Sequence, residues 1–273
     1  MSTTLITEHL GWHKTSDGEP LRVVEHNGYA WVARWSDECL IMRPAESGST
    51  DAPTVAYTSP IHLPHGDEVQ PLVDVLTRLG TVQRLTNPSL WDAITTALLQ
   101  QAVQVERARK THRAYYAAYG RTVETFAGPM ALVPSPEHVL ALSDEGFAAV
   151  GAAASRDALR SAAEAYVAQA DRWQQLAPDT LVQELAAVRS IGATTAAVVA
   201  ADFTSDHSIY PHGDLAVRAW ASRAAPGLPF PSSDREFEAV WRRWAPDRLT
   251  LHTLTLLTLT WGNHARAHAR SDR

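Results

Sequence analysis

The stretch from Leu185 to Trp220, LAAVRSIGATTAAVVAADFTSDHSIYPHGDLAVRAW, decides the fold. Just before and within it Leu181, Leu185 and Val188 recur at helical spacing, so they share one buried stripe. Gly192 then supplies a turn whose backbone a Cβ would resist. Beyond it Thr195, Ala196, Ala197, Val198, Val199 and Ala200 form a compact run suited to a second helix packed closely on the first. The pattern predicts a helix-hairpin-helix. Backbone N–H groups at such a turn and helix start can meet a phosphate without reading a base, and the turn carbonyls can hold a monovalent cation. Asp214 follows in PHGDLAVR, where Pro211 and Gly213 flank His212 and LAVRAW opens a fresh helix with Leu215, Ala216 and Ala219 expected inward. Two readings of Asp214 stand side by side: a carboxylate fixed to face a ligand, or an N-cap.

Three further blocks accompany the hairpin: PSLWDAITTALLQQAVQVERARKTHR at 88–113, PSPEHVLALSDEGF at 134–147 and FEAVWRRWAPDRLTLHTLTLLTLTW at 237–261. Together with Val188–Ala196 and Asp214 they resemble the helix-hairpin-helix DNA glycosylase superfamily, most closely the alkylbase branch of 3-methyladenine DNA glycosylase II. The family's hairpin reads Leu-Pro-Gly-Ile-Gly-x-x-Thr-Ala. Here Arg189 stands at its proline, Ser190 at its first glycine, and Gly192 keeps the second. Asp214 matches the family's catalytic Asp, with Leu215 and Arg218 following as in the family. Gln101 takes the place of a family glutamine, and Ala102 stands near the position from which many members insert a side chain into the duplex.

The resemblance covers roughly residues 85–262 and implies an α+β protein, mostly helical, with a small N-terminal antiparallel sheet. The expected boundaries are a β-rich domain at 1–68, an all-helical glycosylase core at 69–265 and a basic tail at 266–273. It implies excision of alkylated bases from duplex DNA, with Asp214 catalytic and Gln101, Ala102, Arg189, Ser190, Ile191, Gly192, Ala193, Thr194 and Thr195 on DNA. Bifunctional members carry a lysine two residues after the last hairpin glycine; Thr194 stands there and cannot form a Schiff base, so no lyase activity is expected. The competing reading is a DNA-binding or damage-sensing protein that kept the fold without excision. Trp12, Tyr210 and Trp220 are candidates for an aromatic base pocket, with plain core packing as the alternative for each. The aromatic wall that the family takes from its last helices is aliphatic here, around Leu254–Leu257.

Composition sets the remaining bounds. A chain of 273 residues, 45% hydrophobic and 20% charged, builds a globular protein with a large core. One cysteine, Cys39, makes neither an internal disulfide nor an iron–sulfur cluster. No cofactor is expected, and His207 and His212 beside Asp206 and Asp214 lack a metal-ligand framework. With no signal-length apolar segment and no membrane-spanning run, a cytoplasmic monomer acting on double-stranded DNA with a damaged base, away from membranes, is the expectation. The net charge of −6 works against phosphate binding, so local clusters matter more: Arg107, Arg109, Lys110 and Arg113; Arg242, Arg243 and Arg248; and Arg266, Arg270 and Arg273.

Toward the N-terminus, LRVVEHNGYAWVARWSDECLIMRP reads as strands joined by turns at Asn27-Gly28 and Ser36-Asp37. TVAYTSPIHLP adds an edge strand, and 69–84 reads as a short helix and a connection. Gly120 ends a helix, 121–136 reads as a loop, Asp179 or Thr180 caps the helix entering the hairpin, and Ser233 or Asp234 caps a later one.

Overall fold

The computed structural model describes residues 3–48, 51–101 and 104–271, with side chains described to residue 265 in the last helix. The strands are β1 (Thr3–Leu5), β2 (His13–Lys14), β3 (Pro20–His26), β4 (Tyr29–Ser36), β5 (Cys39–Pro44), β6 (Val55–Thr58), β7 (Thr81–Leu85), β8 (Thr122–Thr125) and β9 (Gly128–Ala131). The helices are α1 (Gln70–Leu76), α2 (Leu90–Gln100), α3 (Val105–Tyr119), α4 (Pro136–Ala141), α5 (Asp144–Ala149) and α6 (Arg156–Trp173). They continue with α7 (Pro178–Ala186), α8 (Ala193–Thr204), α9 (Leu215–Ala224), α10 (Asp234–Trp244) and α11 (Arg248–Ser271). The architecture is α+β, mostly helical. It divides into two compact units built from interleaved segments: Met1–Glu8, Val55–Arg84 and Asp206–Arg273 form one, and His9–Thr54 with Leu85–Ser205 form the other.

The second of these units carries the antiparallel sheet β2-β3-β4-β5. Asn27 (φ 51) and Gly28 (φ 80) make the two-residue turn between β3 and β4, as the Asn-Gly pair predicts. The next turn is Asp37-Glu38, one residue later than expected, because Ser36 pairs with Cys39. Both its residues have positive φ, 53 and 59, so a primed turn forms here without glycine. Leu21, Val23, Ala30 and Val32 pack with Val123 and Leu132. Those last two belong to a segment read as a loop; residues 122–131 instead form the hairpin β8-β9. Gly120 ends α3 with φ −84, so it is not there for a left-handed cap. A Cβ on it would lie 1.9 Å from the Leu132 carbonyl oxygen, and this close approach is what demands glycine. In the same unit α8 packs against α7 and α2, and α4 against α6.

The first unit has a sheet ordered β1-β7-β6. β1 and β7 pair in parallel, Thr4 opposite Val82. The spacing of TVQRL does not predict β7, because its apolar residues, Val82 and Leu85, do not alternate with polar ones. Its core joins Leu72 and Leu76 of α1, Val217, Trp220, Ala221 and Ala224 of α9, Phe237 and Trp241 of α10, and Leu254 and Leu257 of α11. The α9 stripe therefore starts at Val217; Leu215, expected inward, is 70% exposed. Four threonines of α11 are buried because their hydroxyls find partners locally: Thr253, Thr258 and Thr260 each donate to a carbonyl one turn back at 2.8 Å, and Thr255 accepts from Trp241 Nε1 at 3.0 Å. Among the described residues no helix is long and apolar enough to cross a membrane.

Candidate functional site

The hairpin leaves α7 at Ala186 and enters α8 at Ala193. Ala177 is the N-cap of α7, without a side-chain bond, and Pro178 occupies its first turn; neither Asp179 nor Thr180 caps it. The Val188 N–H donates to the Leu185 carbonyl and the Ile191 N–H to the Val188 carbonyl, both at 3.0 Å. Ser190 sits between them with φ 71. The left-handed residue of the turn is thus Ser190, not Gly192, whose φ of −76 suits any residue and whose Cβ would meet no atom within 4 Å. Ile191 is buried and anchors the turn, while Arg189, Ser190, Gly192, Ala193 and Thr194 are exposed.

Gly192 is the N-cap of α8 and no side chain caps it. The first helical bond runs from the Ala196 N–H to the Gly192 carbonyl at 2.9 Å, so the N–H groups of Ala193, Thr194 and Thr195 precede the helix ladder. Those donors and the positive end of the helix make an exposed anion seat. Gln101, which caps the end of α2, donates from Nε2 to Thr195 Oγ1 at 2.8 Å. Two motifs far apart in sequence thus meet at one turn of α8. Ala102 lies outside the described residues.

The basic clusters differ. Arg242 pairs with Glu238 at 3.0 Å, Arg243 with Glu68 at 2.9 Å and Arg248 with Asp206 at 2.5 Å. On α3, in the unit of the hairpin, Arg107, Lys110 and Arg113 are exposed at three-residue spacing and form no ion pair among the described residues. The side chains of Arg266, Arg270 and Arg273 lie outside the described residues.

Asp214, on the other unit, is half-buried and caps α9: Oδ1 accepts the Ala216 N–H at 2.8 Å. Its own N–H donates to the Pro211 carbonyl at 2.9 Å, and its carbonyl accepts the Arg218 N–H at 3.2 Å. Oδ2 accepts no hydrogen bond among the described residues. Asp214 is therefore the N-cap of α9 through Oδ1.

The turn leading to Asp214 is held by residues whose supporting role the sequence does not show. Asp206 accepts the Ser208 N–H at 2.9 Å on Oδ1 and the Arg248 Nε–H at 2.7 Å on Oδ2. Burial opposes its charge, but these bonds hold its carboxyl below the usual range. The His207 N–H donates to His252 Nδ1 at 3.0 Å, which places the His252 proton on Nε2, 3.1 Å from Thr58 Oγ1. Gly213 passes Asp234 so closely that a Cβ would be 3.2 Å from that residue's Cβ and carbonyl oxygen. His212 is 2% exposed and burial, then Arg242, pushes its imidazole down to about 4.

Tyr210 is half-buried, its ring stacked on His207 with centroids 6.1 Å apart. Burial, then the charges of Asp214 and Glu8, raise its phenol. Trp12 and Trp220 are both buried. The Trp220 indole lies so near Gly262 that a Cβ there would be 2.2 Å from the ring, and the Arg223 guanidinium stands 5.1 Å over the ring centroid. Among the described residues no group of three or more His, Cys, Asp or Glu side chains could hold a metal ion.

No protein-family model matches the chain, and no curated protein matches it in sequence. Solved structures do match in fold. A 3-methyladenine DNA glycosylase from Archaeoglobus fulgidus aligns with a TM-score of 0.68 at 17% identity, over 94% of this chain and 90% of that one. An 8-oxoguanine glycosylase/lyase from Clostridium acetobutylicum, solved with double-stranded DNA, aligns at 0.67 and 12% identity, over 95% and 89%. A 3-methyladenine DNA glycosylase from Schizosaccharomyces pombe, solved with abasic DNA, aligns at 0.55 and 18% identity, over 76% and 96%. The fold of the chain is that of the helix-hairpin-helix DNA glycosylases.

Proposed function

We propose that this chain is a monofunctional DNA glycosylase that removes alkylated, 3-methyladenine-like bases from duplex DNA. The observation that carries the reading is Asp214: one carboxylate oxygen locks it to the first turn of α9 and the other is left unengaged, on a fold shared with DNA glycosylases. An alkylated purine carries positive charge, so when its C1′–N bond breaks the electron pair leaves on the base, which departs neutral. Asp214 then stabilises the oxocarbenium-like sugar. Water adds to C1′ and its proton passes to the carboxylate or onward to solvent. The products are a free base and an abasic site.

The uncapped start of α8, with Arg189, Ser190, Ile191 and Gly192 shaping the turn, is the proposed seat for a backbone phosphate, which fixes position without reading sequence. Arg107 and Lys110 add cations that form no ion pair among the described residues. Gln101 is assigned a place near the everted nucleotide, with Thr195 setting its amide. Tyr210 keeps an exposed portion beside the charge of Asp214 and is the preferred aromatic for the base. A monovalent cation at the turn would share the Val188 carbonyl with the Ile191 N–H, and no step is routed through it. Thr194 has no amine, which supports hydrolysis without strand cleavage.

A DNA-binding role without excision is the second reading, favoured by the burial of Trp12 and Trp220, which removes two aromatic faces from a cationic base. Single-turnover release of bases from methylated duplex DNA decides between them. Release of 3-methyladenine or 7-methylguanine by the wild type, lost in Asp214→Asn, is the expected result. Duplex binding with no release from any lesion would establish the second reading.

A further inference from the structure

The unit that carries the hairpin also encloses a cavity of about 300 Å³ that the glycosylase reading does not use. Its lining comes from β2, β3, α2, α3 and β9. The volume falls at the small end of natural ligand pockets.

The deep end is built from Asp92, Arg22, His9, Tyr116 and His112, all of them buried. Asp92 is fully engaged. Its Oδ2 accepts from Arg22 at 2.7 Å and Asn87 at 3.0 Å and stands 3.1 Å from His9 Nε2, while its Oδ1 accepts from Tyr116 at 2.5 Å. Burial opposes the charge of Asp92, yet His9, Arg22 and Tyr116 together hold its carboxyl well below the usual range. Arg22 and Asp92 therefore cancel, which leaves Lys14 and Arg113, both exposed at the rim, as an uncompensated pair of cations. Neither makes an ion pair among the described residues.

His112 is the group this network leaves over. It is 2% exposed, stacks on Tyr116 with centroids 3.8 Å apart, and has no hydrogen-bond partner on either ring nitrogen among the described residues. Burial first, then neighbouring His9, pushes its imidazole well below its usual range, so it stands neutral with one donor and one acceptor. Native proteins pair nearly all such groups. Val23, Pro129 and Met130 give the cavity apolar wall.

We propose that this cavity binds a small heterocycle-bearing organic anion of the nucleoside monophosphate class, its acid group at Lys14 and Arg113 and its uncharged polar edge on His112. The phosphate meets the two rim cations, and the ring lies along the apolar wall with its donors and acceptors turned to the imidazole. The ligand proposed is a free small molecule, and occupation by duplex DNA is an outcome of the test. The proposal stands apart from excision and does not rest on it.

Calorimetric titration of the full chain with AMP tests it. One saturable site is expected, weakened at least tenfold in the rim variant Lys14→Ala/Arg113→Ala, which touches no buried group. His112→Leu should lose binding and His112→Gln, which restores a donor and an acceptor, should recover it. The proposal is overturned if the wild type shows no saturable AMP binding, meaning that the cavity holds water only. It is also overturned if inorganic phosphate binds as tightly as AMP, if undamaged duplex DNA displaces AMP completely, or if the rim variant binds as well as the wild type.

Discussion

The hairpin between α7 and α8 and the turn that ends at Asp214 are both short connections into a helix, and they are held in opposite ways. The hairpin rests on backbone bonds and one buried side chain, Ile191, with no side chain capping α8. The turn before Asp214 is pinned by Asp206, Arg248, His252 and Thr58, and its carboxylate caps its own helix. The difference suits the role proposed for each. A phosphate seat works only if its N–H groups stay free, so a capping side chain would occupy it. A charge meant to stabilise a transition state must not reorient as the charge develops, so its support has to be rigid.

The largest effect expected from this contrast is on Asp214 itself. Asp214→Asn keeps the cap, since asparagine caps as well as aspartate, and should leave the melting temperature nearly unchanged. It should lower single-turnover excision by about 10²–10³-fold, the loss typical of one preorganised electrostatic group. Equal excision by both forms would break the contrast, because a rigid carboxylate would then have no task.

Next comes the acid limb of stability near the pinned turn. His212 is pushed down to about 4 in the folded state, against 6.5 as its ordinary value. Above that ordinary value both folded and unfolded chains leave it neutral. Below it the unfolded chain takes up a proton that the folded chain refuses, so stability falls with pH until about 4. At about 1.4 kcal/mol per pH unit the loss reaches about 3 kcal/mol across that window. Urea midpoints measured through the window should fall less steeply for His212→Gln than for the wild type.

Asp206→Ala should unpin the turn, leaving the Ser208 N–H and Arg248 without their acceptor and destabilising the fold by about 1–3 kcal/mol. Excision should fall with it although Asp214 is intact. The smallest effect belongs to the hairpin: Ser190→Gly relieves a left-handed serine and should stabilise by up to about 1 kcal/mol, net of the extra freedom of glycine in the unfolded chain. If Ser190→Gly also tightens duplex binding, the serine is a strained form of the phosphate seat. If stability rises and affinity does not, strain and binding are separate.

What could be read in the sequence was local. The apolar spacing before Val188, the Asn27-Gly28 turn and the Ser233 cap are written within a few residues of where they act. The hairpin's existence was legible for the same reason. Which residue takes positive φ was not, because Gly192 is the permissive residue and Ser190 the one whose neighbours force the turn. The supports of Asp214 escaped because they are remote: Thr58 and His252 are 194 residues apart. β7 escaped because it is short and its partners in the sheet, β1 and β6, lie elsewhere in the sequence. Residues 122–131 make a hairpin because Val123 and Leu132 complete the core of a sheet some hundred positions earlier, a fact no window of sequence contains.

The interleaving of the two units has a consequence for synthesis. Everything that the His9–Thr54 and Leu85–Ser205 unit needs has been translated by Ser205, whereas its companion draws on Met1–Glu8, Val55–Arg84 and Asp206–Arg273. On a ribosome adding about 5–20 residues per second, the early strands β1, β6 and β7 wait several seconds for α9, α10 and α11. During that interval Leu72, Leu76 and Val82, later among the most buried side chains, have no core to enter. The nascent chain thus emerges with its hairpin-bearing half able to fold and its Asp214-bearing half still open, and that interval is when a holding chaperone has most to do.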